Sequence, residues 1–123
     1  MQWNKAAAIS HLNTHAGTLS RHQCARYTRE AIEAGGVYIG RTRHAKDYGP
    51  LLERAGFSKV ITGERVVAGD VIVIQAFAGN ADGHMAMFNG SLWVSDFYQR
   101  NGLYPGPGYR AAKPRYQIYR KLP

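Results

Sequence analysis

The spacing of hydrophobic and polar positions changes about halfway along the chain. In the first part, apolar side chains recur at helical intervals. Beyond Gly56 they gather into short β-branched runs separated by glycine and asparagine. Residues 3–12 predict a short alanine-rich helix with Asn4 as its cap. A second helix is predicted from Ser20, where Ser20 and Gln23 have the S-x-x-Q spacing of a capping box. Its apolar stripe is Ala25, Thr28, Ala31 and Ile32, and Gly35-Gly36 suits a left-handed C-terminal stop. Residues 45–55 predict a third helix, with Gly49-Pro50 offering an alternative start at Pro50.

Strands come next. Residues 60–62 give a short one, and 71–77 a β-branched run that reads as buried. Residues 84–88 and 92–97 flank Asn89-Gly90, a strong hairpin signal. Residues 104–114 read as a Pro/Gly loop and 116–120 as a last strand. Helices first and a meandering antiparallel sheet afterwards predict an α+β fold, its N-terminal helices packed on the sheet.

Length and charge narrow the class. The 123 residues suit one domain, 1–123, able to bury a core without disulfides or metal staples. The longest apolar run, 71–78, is too short to cross a bilayer, so no membrane insertion is expected. Residues 1–10 lack a secretory signal pattern. The expectation is synthesis in the cytoplasm, with any export left to a machine that reads no cleaved peptide. A net charge of +8 favours polyanions such as nucleic acid, anionic lipid or cell wall. The charges are spread from Arg21 to Lys121 and form no nucleic-acid motif, so no nucleic-acid partner is expected.

Cys24 is the single cysteine, and it falls in the first turn of the second helix. A lone cysteine often serves as a small core residue. At a helix start, however, the positive end of the helix dipole favours the thiolate, which is the nucleophile in acyl transfer. A histidine must then come from elsewhere in the fold. Of His11, His15, His22, His44 and His84, the last is best placed, because it opens a strand of the hairpin. Its orienting partner depends on register. A two-residue turn at Asn89-Gly90 sets His84 opposite Ser95, and a three-residue turn sets it opposite Asp96. Asp96 is preferred, because an anion stabilises an imidazolium better than a hydroxyl does. His11 and His15 have zinc-ligand spacing but lack the Glu and cysteine partners of such sites, so no metal is expected. Asp70 and Asp82 read as turn residues beside glycine.

These residues together resemble a known family. Ser20-x-x-Gln23-Cys24-Ala25-Arg26-Tyr27 is similar to the nucleophile helix of CHAP and NlpC-type peptidoglycan hydrolases. Ala68-Gly69-Asp70-Val71-Ile72-Val73 resembles their Gly-Asp entry to a central strand, and Gly83-His84-Met85-Ala86-Met87 their Gly-His strand. The order Cys, His, Asp with no signal peptide also resembles the small cell-wall amidases delivered by type VI secretion systems. The resemblance implies a papain-like fold, with Cys24 as nucleophile, His84 as base and Asp96 orienting His84. It implies hydrolysis of peptidoglycan stem-peptide amides without metal or organic cofactor. It also implies action in the periplasm or cell wall of a target bacterium, and a cognate immunity protein in the producer. The competing readings are a cysteine amidase or transferase acting on protein side chains, and a non-catalytic domain binding anionic polymers. The segment after Asn101 matches no motif.

Overall fold

Asn4 caps the first helix, α1 (Lys5–His15), by accepting the Ala7 N–H on its side-chain oxygen at 3.0 Å. The structure, a computed structural model, describes residues 3–122. The second helix, α2 (Cys24–Ala34), starts three residues later than its capping box suggests. Ser20 Oγ accepts from His22 N–H at 3.3 Å, and Gln23 sits at the cap position without a side-chain capping bond. The reason lies in another part of the chain. The Asp96 carboxylate accepts the backbone N–H groups of Arg21 (2.5 Å) and Gln23 (3.2 Å) and holds 20–23 in a non-helical turn. Gly36, at φ +94°, lies just past the helix end as its sequence predicts. The third helical stretch is split into a 3-10 turn (Ala45–Asp47) and α3 (Gly49–Arg54), the alternative start marked by Pro50.

Six strands form one antiparallel sheet. They are β1 (Ser58–Lys59), β2 (Val71–Ile74), β3 (His84–Phe88), β4 (Trp93–Val94), β5 (Tyr98–Gln99) and β6 (Tyr116–Arg120), in the order β1-β6-β2-β3-β4-β5. All of β2 is buried because both faces of the sheet are covered. Val71 and Val73 join Met85, Met87 and Val94 beneath the helices, against Leu12, Ile32 and Leu52. Ile72 and Ile74 join Ala86, Trp93 and Tyr109 on the other side. This is the α+β, papain-like arrangement expected from the sequence. Among the described residues, no helix is long and apolar enough to cross a membrane.

Several local expectations are corrected. The strand at 60–62 lies instead at Ser58–Lys59, and β2 ends at Ile74 rather than 77. Asp70 is more than a turn residue: it is wholly buried and takes Arg120 from β6 on both carboxylate oxygens, each at 2.8 Å. The loop at 104–114 contains a fourth helix, α4 (Pro107–Ala112), with proline in its first turn. The hairpin adopts neither expected register. Asn89 Oδ1 accepts from Ser91 and Leu92 N–H, so the turn moves one residue on and pairs Phe88 with Trp93. Strand β4 then stops at Val94. Ser95 and Asp96 form a bend, and β5 returns to pair Gln99 with Trp93.

Candidate active site

The N-terminus of α2 and the first residue of β3 meet at one end of the sheet. Thr28, one turn along α2, accounts for the docking: its hydroxyl donates to Cys24 O (2.9 Å) and Met85 O (3.3 Å). Gly83 sets the entry to β3. Its φ is +74°, and a Cβ there would lie 2.4 Å from the Ile74 carbonyl oxygen. Only glycine fits that approach, so the Gly-His pair is a packing requirement. Strand alternation puts His84 on the side of Ala86 and Phe88, away from the helical core, where it faces the sheet end.

Cys24 is half-buried, and it lines a cleft of about 490 Å³ together with His84, Tyr109, Arg41 and Arg43. The imidazole is 6% exposed. Its Nε2 meets Gln99 Oε1 at 2.7 Å. The Gln99 amide nitrogen donates to Gly102 O (3.1 Å) and Leu103 O (3.0 Å), so its oxygen is the end that faces the ring. His84 Nε2 therefore carries the proton and Nδ1 has the free lone pair.

Asp96 does not make the expected bond to His84. It is 1% exposed, and its bonded oxygen, Oδ2, is used by the turn before Cys24, while Oδ1 has no partner among the described residues. The expected register would have brought Asp96 opposite His84; the shifted hairpin brings Gln99 from the next strand instead. Ser95, the other candidate, is buried with its hydroxyl unpartnered. Asp96 still acts on the pair through its charge, which raises the pKa of both Cys24 and His84.

Electrostatics also differ from the sequence expectation of an activated thiolate. Burial pushes the Cys24 thiol up to about 11, against smaller opposing effects of the backbone N–H groups of Met85, Ala25 and Cys24 itself. Burial likewise pushes His84 down to about 4, partly offset by Gln99 and Asp96. At neutral pH these shifts favour a neutral thiol and a neutral imidazole.

Of the remaining histidines, His11, His15 and His44 lie outside the cleft. His11 and His15 stack at 4.0 Å on α1, and His44 pairs with Asp82 at 2.6 Å. His22 lines the cleft from the strained turn, with φ +58°. Sequence reasoning missed Gln99, and it named Tyr109 only as one of several aromatics that could line a groove. Pro107 signalled a helix start that would have placed Tyr109 on α4. Nothing local marks Gln99, whose role depends on the bend at 95–97.

The fold is that of a type VI secretion effector. The effector–immunity complex Tae3-Tai3 from Ralstonia pickettii contains a chain 48% identical to this one, with TM-score 0.93, covering 98% of this chain and 100% of that one. A second crystal structure of that complex, with selenomethionine, matches at 50% identity and TM-score 0.88, over 92% and 98% of the two chains. The chain belongs to the Tae3 effector family. The structure of Ly7917, 16% identical with TM-score 0.57, shares the fold over 93% of this chain and 61% of its own. No family model and no curated protein sequence matches the chain.

Proposed function

We propose that the whole chain, 1–123, is one catalytic domain that hydrolyses amide bonds in the peptidoglycan stem peptide. The observation that carries the reading is the meeting of Cys24 and His84 in one cleft of a type VI effector. His84 Nδ1 takes the Cys24 proton as the sulfur adds to the amide carbonyl carbon. The C–N bond breaks, and the imidazolium returns that proton to the leaving amine. Water then attacks the thioester carbon, giving one proton to His84 and its hydroxyl to the acyl group; the C–S bond breaks, and His84 returns the proton to the sulfur, which restores the thiol. The Cys24 backbone N–H at the helix start can bind the oxyanion. The net charge of +8 suits an anionic wall polymer.

Gln99 is the residue that orients His84 in this scheme, and Asp96 the one that holds the nucleophile turn. Both variants should be destabilised, and they should differ in activity below the melting range. Gln99→Leu strands the Gly102 and Leu103 carbonyls as well as His84 Nε2 and should lower kcat/KM by roughly ten- to a hundredfold even well below its melting point. Asp96→Ala strands two backbone N–H groups and should cost about 2 kcal/mol of folding stability. Its activity should fall as the turn loosens. Thermal melts and turnover on purified peptidoglycan measure both. An inactive but fully stable Asp96→Ala beside an active Gln99→Leu would reverse these roles.

Delivery and protection are part of the same reading. The Tae3 effector was crystallised with its immunity protein. A small immunity protein of the producer should block the Cys24 cleft of this chain as well. Expression in the cytoplasm should be tolerated, because the substrate lies outside the inner membrane. The same chain with an added export signal should lyse Gram-negative cells, and co-exported immunity protein should restore growth. Equal toxicity in both compartments would move the target inside the cell and favour an amidase acting on protein side chains.

A further inference from the structure

Tyr109 carries a buried hydroxyl that has no part in the Cys24–His84 chemistry as written. The residue is 6% exposed and lies on α4, outside every motif of the sequence. Its ring is held edge-on to Phe77 at 4.8 Å and tilted against His84 at 5.9 Å, and it lines the cleft that holds Cys24. Gly108 allows α4 this close: a Cβ there would lie 2.9 Å from the Phe77 ring. The Tyr109 hydroxyl has no hydrogen-bond partner among the described residues. A buried phenol without a partner is destabilising, and phenylalanine would fill the same space without that penalty. An unmet donor in the cleft that also holds the nucleophile can meet a charge that appears only during reaction.

We propose that the Tyr109 hydroxyl donates to the Cys24 sulfur when the thiol ionises. The inference rests on Cys24 being the nucleophile. The neutral resting pair makes ionisation uphill, so each donor that meets the sulfur counts. Titratable or charged groups come to this end from several elements: His84 on β3, Asp82 before it, Asp96 in the bend after β4, and Tyr109 on α4. Arg26 and Arg29 on α2, with Arg41 and Arg43, line the cleft. Arg26 and Arg29 are paired with Glu30 and Glu33 at 3.2 Å. The Asp96 charge opposes a thiolate, His84 takes the proton, and Gln99 is committed to two carbonyls. Arg41 and Arg43 are exposed at the cleft rim, and the phenol is a buried side-chain donor without a partner among the described residues. Burial, with the nearby Cys24 and Asp82 charges, raises the Tyr109 pKa, so the phenol stays protonated and able to donate.

Tyr109→Phe tests this. Cys24 is the single cysteine, so alkylation by iodoacetamide reports one thiol. Between pH 7 and 9, below the thiol pKa, the rate tracks the thiolate fraction. Alkylation of the variant should be about tenfold slower at each pH, the size of a lost hydrogen bond to a charged group. Its thermal midpoint should be unchanged or higher, and peptidoglycan hydrolysis should fall in parallel. An unchanged alkylation rate would overturn the proposal. So would lost hydrolysis with unchanged alkylation, because the hydroxyl would then serve the substrate. A slower rate with a lowered midpoint would also overturn it, since Tyr109 would then be structural. Alkylation needs no peptidoglycan, so this outcome stays distinct from that of Cys24→Ala on hydrolysis.

Discussion

Cys24→Ala protein should fold as the wild type does and release no fragments from purified peptidoglycan. Alanine keeps the backbone N–H groups and the volume nearest the helix, and it is the strongest helix former for the first position of α2. The turn before it is held by Asp96 through backbone groups that the change does not touch. Only the sulfur is lost, from a half-buried position, so the thermal midpoint should move by a few degrees at most. Chemistry is lost altogether, because no other thiol exists in the chain. Mass spectrometry of the soluble products makes the comparison, and the new termini in the wild-type digest identify the bond cut. Fragment release by Cys24→Ala would place the nucleophile elsewhere and end the cysteine mechanism.

The parts of this fold legible in the sequence are those whose signal is local. Strand β3 (His84–Phe88) and β6 (Tyr116–Arg120) lie where their residues predict them, because turn residues mark their flanks. The end of α2 is legible for the same reason, since glycine marks it. The start of α2 is not. Ser20 and Gln23 have the right spacing, but a carboxylate some seventy positions away, in Asp96, competes for the backbone N–H groups and wins. The hairpin fails by a single residue: Asn89 folds its side chain onto the turn, and that shift exchanges Asp96 for Gln99 beside His84. Residue type and position on an element suffice to nominate Cys24 and His84. They do not suffice for their partners, because a bend of three residues decides which polar side chain reaches the ring.

His84→Ala should lower turnover by about a thousandfold or more, toward the upper end of what a positioned general acid and base contributes. The pH dependence tells this loss from simple unfolding. In the wild type the active form carries one proton on the Cys24–His84 pair. That form dominates between about 4, where His84 gains a second proton, and about 11, where the thiol loses its own. Activity should therefore persist at mildly acidic pH and fall toward pH 4. The variant has no base to receive the proton, so its residual rate should climb tenfold per pH unit with the thiolate fraction. Stability gives a second, independent sign. The folded pKa of His84 lies below its unfolded value of about 6.5, so the unfolded chain binds the extra proton first. The wild type is then fully stable, as far as this group is concerned, above pH 6.5 and loses stability as pH falls toward 4. His84→Ala should lack that acid-dependent loss, and melts from pH 7 to pH 4 should converge with the wild type at the acid end. His11→Ala and His15→Ala, on the stacked pair of α1, should leave turnover and its pH profile as they are. A His84→Ala enzyme with wild-type turnover, or one whose rate still fell only below pH 5, would show that the base is another residue.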